Sequence, residues 1–348
     1  MINIMEIFNE YKDMGLTGLA NVGNTCYLNS CMQIISHTYE LNNFLNNKNY
    51  KKKLNKNSDT LLLVEWDNLR ELMWSSNCTI APNGFINAVK NVSISKNRDI
   101  FSNYSQNDIQ EYILFLLDCF HNALSREVDM EITGKSFNET DDFALKCYSM
   151  MKNIYTKEYS EILDIFFGIQ ITELKSIQTE ETLNIIPEPF SILSLPIPID
   201  INEPTLYECL DLYCKTEQLL GEDSIINEKT NKKEDVNKKI FFWDLPKILI
   251  IDLKRWNENG NKNNKVVNVD INDVNLSKYV IGYNKLDNIY DLYGVCNHSG
   301  GSMGGHYTSY IKNANNKWYE FNDTIVKEID ENNIITDKSY CFFYRKKK

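Results

Sequence analysis

The feature that most limits the fold is a change of hydrophobic period near Asp164. Before it, apolar residues recur at the three- and four-residue spacing of helix faces; after it, they come in short runs closed by prolines. Helical spacing carries Ile4, Phe8 and Tyr11 within residues 2–14, and Tyr27, Leu28, Cys31, Met32, Ile34 and Ile35 after Cys26. It resumes through Leu62, Trp66, Leu69 and Met73 within 61–74, and again over 84–92. The stretch 42–58, dense in Asn and Lys, reads as a surface loop. The strongest apolar face is Ile109, Tyr112, Ile113, Leu116, Leu117 and Phe120, preceded by Ser105 and Asp108 in the form of a capping box. Beyond Asp164, segments 166–172, 190–199, 239–243 and 248–254 read as strands bounded by Pro187, Pro189, Pro196, Pro198 and Pro246. Further strands are expected over 266–271, 290–296, 306–312, 317–321, 325–328 and 340–344. Tracts 221–239 and 257–265 read as loops, the first with room for a weak hairpin. A helical first third and a sheet-rich remainder, without internal repeats, predict an α+β fold.

Composition narrows the function. With 43% hydrophobic and 12% aromatic residues in 348, the chain can bury a large core. A net charge of -11 disfavours a nucleic-acid partner, because no basic field exists to release counterions. No apolar run reaches membrane-spanning length, and Met1-Ile-Asn-Ile-Met-Glu lacks the basic start of a signal peptide. The expectation is an intracellular protein, cytoplasmic or nuclear, with no membrane partner. Nine scattered cysteines do not form a disulfide framework. Cys209 and Cys214 lie in an amphipathic segment and read as packing residues.

The stretch Gly18-Leu-Ala-Asn-Val-Gly-Asn-Thr-Cys-Tyr-Leu-Asn-Ser30 places Cys26 where a polar loop turns into a helix. Asn24 or Thr25 is the expected N-cap, so the thiol should occupy the first turn. Free N–H groups and the helix dipole there favour a thiolate and can hold an oxyanion. A buried packing cysteine is the competing reading, and only a partner base decides between them. Four histidines exist. His37 and His121 end helices, where histidine commonly serves as a cap. His298 and His306 flank a glycine-rich loop, and glycines just ahead of a strand let backbone approach a ligand closely, which favours His306. If 306–312 and 317–321 form a hairpin, Asn322 and Asp323 return to the same end, where either could orient the imidazole. Gln106, Asn107 and Asp108 open the next helix and read either as capping groups or as a cleft wall.

Asn21-Val-Gly-Asn-Thr-Cys-Tyr-Leu-Asn-Ser30 closely resembles the Cys box of the ubiquitin-specific proteases, and Gly304-Gly-His-Tyr-Thr-Ser-Tyr310 resembles their His box. Trp318-Tyr-Glu-Phe-Asn-Asp323 is similar to the segment holding their third catalytic residue, and Gln106-Asn-Asp-Ile-Gln-Glu-Tyr112 to their Gln-rich box. The resemblance runs from about Gly15 to Tyr344. It implies a papain-like cysteine protease within one catalytic domain over 1–348: a helical thumb (15–125), a β-sheet palm (126–165 and 246–348) and β fingers (166–245). It further implies a deubiquitinase, acting as a monomer on ubiquitin conjugates, that cleaves the isopeptide or peptide bond after ubiquitin's terminal glycine through a thioester. Carried over by position, Cys26 matches the nucleophile, His306 the base, Asn322 its orienter, Asn21 the oxyanion-hole side chain and Asp323 a secondary acidic contributor. Asp108 matches a residue that meets ubiquitin's basic tail, and Gln106, Trp256, Gly304, Gly305 and Tyr307 fall on the substrate side.

Two departures stand out. The family commonly binds zinc through two C-x2-C pairs, which by register fall at Ser176 and Thr179 and near Asn227 and Thr230. None is cysteine, so no metal and no cofactor is expected. Asp252-Leu-Lys-Arg-Trp256 stands where the family more often has His-Leu-Lys-Arg-Phe. A ubiquitin-like modifier as substrate, or a non-catalytic ubiquitin-binding module, are the alternatives.

Overall fold

The computed structural model describes residues 9–102, 105–301 and 304–347; Ile4 and Phe8 of the expected leading helix lie outside them. A two-residue strand, β1 (Gly18–Leu19), precedes α1 (Cys26–Ser36), all of whose residues are buried. A helix buried on every side belongs inside the domain, and the next helices close around it. These are α2 (Tyr39–Asn46), α3 (Asp59–Ser75), α4 (Asn83–Ser95) and α5 (Ile109–Leu124), with β2 (Thr79–Ile80) pairing parallel to β1 between α3 and α4. Trp66, Phe85, Phe101, Tyr112 and Phe115 fill the space they share. Residues 42–58 are not the loop expected. Leu41, Leu45 and Tyr50 are buried, so α2 and a 3-10 turn at Asn49–Lys53 form beneath an Asn- and Lys-rich surface.

After α5 come α6 (Glu139–Glu158) and α7 (Glu161–Phe166), and then strands dominate. β3 (Gly168–Ser176), β4 (Thr182–Phe190) and β5 (Ile192–Leu195) lead to α8 (Leu206–Tyr213). Thr205 and Glu208 close α8 with a full capping box, and Cys209 is buried in it as a packing residue. β6 (Glu217–Leu219), the hairpin of β7 (Ile225–Asn227) and β8 (Lys232–Glu234), and β9 (Val236–Asp244) follow. β4, β3, β9 and β6 form one antiparallel sheet in that order.

The larger sheet contains β10 (Ile248–Leu253), β11 (Val274–Asn275), β12 (Ile289–Gly301), β13 (Gly304–Lys312), β14 (Trp318–Asn322), β15 (Ile325–Ile329) and β16 (Ser339–Lys346). Its order is β15-β14-β13-β12-β16-β10-β5, with β11 beside β12. The final strand is thus interior, and Cys341, Phe342, Phe343 and Tyr344 are buried on both its faces. The strand expected over 266–271 does not form, apart from a bridge of Asn268 to Thr205. The buried Arg255 guanidinium holds the chain just before it, donating to the carbonyls of Asn263 and Lys265 at 2.7 and 2.8 Å. α1 packs against β12, β13 and β14, which brings the front of the chain onto its last quarter.

Candidate active site

Cys26 opens α1, as its spacing predicts, but Thr25 does not cap the helix with its side chain. Its hydroxyl instead accepts from Val22 N–H at 3.0 Å. The first-turn N–H groups are therefore left for the thiol, and the backbone amides of Tyr307, Tyr27 and Cys26 itself act on the sulfur. These amides favour thiolate, yet the Cys26 pKa is raised, against the expectation from the helix end. Burial is the largest cause, and the Asp323 charge adds to it.

His306 lies on β13 opposite Ser299 of β12, and its Nε2 lies 2.7 Å from Asn322 Oδ1 at the end of β14. The β13–β14 hairpin brings the two to one end, as the spacing suggests. Because the amide oxygen only accepts, Nε2 carries the proton and the neutral ring presents Nδ1 as its lone pair. Among the described residues no hydrogen bond joins His306 to Cys26; it is the backbone of Tyr307, the next residue, that acts on the thiol.

Asp323 adopts φ 50. Its Oδ2 accepts from Asn21 Nδ2 at 3.0 Å and its Oδ1 from Asn29 Nδ2 at 2.8 Å. The other end of the Asn21 amide accepts from Thr25 N–H at 3.1 Å. With both ends anchored, Asn21 has one side-chain N–H left over. Asn29, one helical turn beyond Cys26, has no sequence signal of its own: its type suits a solvent-facing helix position equally well.

A cleft opens beside Tyr307, whose backbone acts on the Cys26 thiol. A cavity of about 230 Å³ is lined by Gln106, Asn107, Asp108, Trp256, His298, Gly301 and Tyr307. Gln106 spans it, donating to Gly305 O at 2.8 Å and accepting from Gly305 N–H. Gly304 follows the described end of the β12–β13 turn and is exposed. The capping box at Ser105 does not form; Asp108 itself is the N-cap of α5, accepting from Gln110 N–H at 2.7 Å. Its second oxygen accepts from Tyr340 OH at 2.7 Å. Behind it, Gln110 donates to Ser194 and Ser194 to Asp252, whose carboxyl pKa is pushed up to about 6, chiefly by burial. Trp256 is half-buried, its ring edge-on to His298. A larger concavity of about 810 Å³ lies between α5, α6 and the base of β3 and β4, and contains none of these candidate side chains.

At the positions where a metal is implied, Ser176 Oγ accepts from the backbone of Gln178 and Thr179, and Asn227 donates to Glu234 at 2.7 Å. This hydroxyl and amide donor set, already engaged, does not fit a zinc ion, which takes thiolate or imidazole in structural sites. Among the described residues no group of three or more His, Cys, Asp or Glu could hold a metal. No helix among them is long and apolar enough to cross a membrane.

The family model described as "Ubiquitin carboxyl-terminal hydrolase" matches residues 17–344. The chain is 34% identical over 341 residues to ubiquitin carboxyl-terminal hydrolase Usp2 of Drosophila melanogaster, covering 96% of this chain and 35% of that protein. It is 32% identical over 351 residues to ubiquitin carboxyl-terminal hydrolase 2 of Homo sapiens, covering 97% and 56%. For the Gallus gallus protein the identity is 33% over 343 residues, covering 95% and 93%. The chain thus spans from about a third to just over half the length of the first two relatives. In fold it is similar to the SAGA Ubp8/Sgf11/Sus1/Sgf73 DUB module bound to ubiquitin aldehyde, with a TM-score of 0.74 at 22% identity over 97% of this chain and 71% of that one.

Proposed function

Because the chain belongs to the ubiquitin carboxyl-terminal hydrolase family, we propose that it hydrolyses the bond after the C-terminal glycine of ubiquitin, with Cys26 as nucleophile. What supports this reading is the His306–Asn322 hydrogen bond across β13 and β14, together with the backbone of Tyr307, the residue after His306, acting on the Cys26 thiol at the start of α1.

His306 Nδ1 takes the Cys26 proton, and the sulfur attacks the glycine carbonyl carbon as its π electrons move to oxygen. The free N–H of Asn21 and backbone N–H groups at the start of α1 hold that oxygen; one such donor is typically worth about 10²–10³ in rate. The tetrahedral intermediate expels the amine, which leaves with the proton from His306, and a thioester remains. Nδ1 then deprotonates a water, which attacks the thioester carbonyl; the C–S bond breaks and His306 returns the proton to sulfur. Asn322 keeps the ring in the tautomer this needs, and Asp323 steadies Asn21.

The ubiquitin tail lies in the cleft lined by Gln106, Asp108, Trp256, Gly304, Gly305 and Tyr307, so the Gln106–Gly305 clasp opens or shifts to admit it. Residues 15–125 act as thumb, 126–165 and 246–348 as palm and 166–245 as fingers, in a chain working as a monomer inside the cell. Cys26→Ala is expected to cut hydrolysis of a ubiquitin–fluorophore conjugate to background while ubiquitin affinity stays within about threefold. Undiminished turnover by that variant refutes the assignment. Labelling by electrophilic probes built on ubiquitin and on related modifiers should favour ubiquitin; preference for another modifier changes the substrate.

A further inference from the structure

We infer that His298 is a substrate-positioning residue, its Nε2–H held on the cleft wall as a donor to a backbone carbonyl of the extended peptide that threads toward Cys26. The inference rests on the reading that this cleft receives the tail of ubiquitin.

The tautomer follows from Lys262. Its ammonium lies 3.3 Å from His298 Nδ1 and also donates to the His298 carbonyl. An ammonium has donors only, so Nδ1 must accept, and in a neutral ring the proton is then on Nε2. Burial, reinforced by the Lys262 charge, lowers the imidazole pKa to about 4, so the ring is neutral near pH 7. Packing fixes the plane: the ring centre is 4.6 Å from that of Tyr307, 5.7 Å from Trp256 and 6.1 Å from Tyr340.

Nε2 faces bare backbone. A Cβ built on Gly305 would sit 2.3 Å from it, so only glycine fits there. Among the described residues Nε2 has no protein hydrogen-bond partner, and although His298 as a whole is only 5% exposed, this atom is not sealed off from solvent: the residue lines the cavity. A fixed donor on a cavity wall is free to bond a ligand or a water. The carboxylate on the same cavity wall, Asp108, is committed to Gln110 N–H and Tyr340 OH. The Nε2–H is therefore available to an acceptor that enters the cavity, whose volume of about 230 Å³ admits little more than an extended backbone with small side chains.

The test uses the full chain. His298→Phe keeps the ring packing and removes the donor; His298→Gln restores an N–H at nearly the same reach. With a ubiquitin–fluorophore conjugate, His298→Phe should raise KM about 5- to 30-fold, the effect expected for one lost hydrogen bond. kcat should move less than KM, and His298→Gln should return to within about threefold of wild type. In 15N-histidine NMR at pH 7 the His298 proton should reside on Nε2, and its resonance should move when ubiquitin binds the Cys26→Ala chain. An unchanged KM for His298→Phe, a Gln variant as impaired as the Phe variant, or a proton on Nδ1 each overturns the assignment. The NMR measurement decides even if a variant fails to fold. If the wild-type chain neither binds ubiquitin nor cleaves its conjugates, the functional reading falls and this inference with it. The other outcomes remove His298 alone.

Discussion

Asp252 is 2% exposed on β10, where its carboxylate has the Ser194 hydroxyl as a hydrogen-bond donor. Burial, with the Asp108 charge as a further contribution, raises its pKa from 3.8 to about 6. The folded state therefore holds this proton more tightly than the unfolded chain does. Its stabilising effect is complete below about pH 4 and is lost as pH rises through 6, a change of about 2–3 kcal/mol by linkage. Asp252→Asn keeps an acceptor for Ser194 and removes the titration. Relative to wild type, the variant should gain about 2–3 kcal/mol between pH 4 and pH 7 in urea unfolding. A wild-type-to-variant difference that does not change with pH contradicts the argument.

The short strand β1 decides more than its length suggests. Leu19 N–H donates to the carbonyl of Asp323 at 2.8 Å, and a Cβ on Gly18 would meet Thr324 O at 2.4 Å. The loop that carries Asn21 is thus laid directly on the β14–β15 turn that carries Asp323, with glycine the only residue that allows the approach. Gly18→Ala should force them apart, lowering kcat/KM for a ubiquitin conjugate at least tenfold and Tm by several degrees; wild-type values for both refute this account. Much of this neighbourhood is legible in the sequence. Gly18, Asn21 and Cys26 stand close together, and the 306–321 hairpin follows from alternation. What sequence pattern does not reveal depends on partners far along the chain. Asp108 caps α5 with one oxygen while Tyr340 holds the other, and His298 takes its tautomer from Lys262 and its close backbone neighbour from Gly305, whereas His306 meets Asn322. α6 escapes period analysis because only Phe143, Ala144 and Cys147 of its 20 residues are buried. The strand expected at 266–271 has the composition of a strand but does not form; the chain just before it is held by Arg255 through the carbonyls of Asn263 and Lys265.

At the scale of the whole molecule, apolar burial is uneven. α1 to α5 and the larger sheet share one extensive cluster, and a second, without those helices, runs from Phe190 through Phe242, Leu249 and Ile251 to Tyr344. Apart from Phe190 and Phe242, which join that second cluster at its edge, the β4-β3-β9-β6 sheet leans on α6 through a much smaller one: Phe143, Ala144, Cys147, Ile169, Ile171 and Trp243. Beyond it the β7–β8 hairpin buries only Asn227, while Ile226 on the same strand is 61% exposed. Local opening costs least where little apolar surface is lost, so stability should fall along the chain's projection from the larger sheet to β7–β8. Native-state hydrogen exchange should then find β7 and β8 amides exchanging fastest, β3 and β9 intermediate, and β12 and β16 only through global unfolding. The gradient also separates roles. Cys26, His306 and Asn322 all rest on the body expected to exchange slowly, so the groups proposed to react should hold their geometry while the outer sheet adjusts to whatever lies against it. Equal protection across both sheets would mean that the smaller cluster is as cooperative as the larger ones, and the proposed division of rigid centre from adjustable periphery would fail.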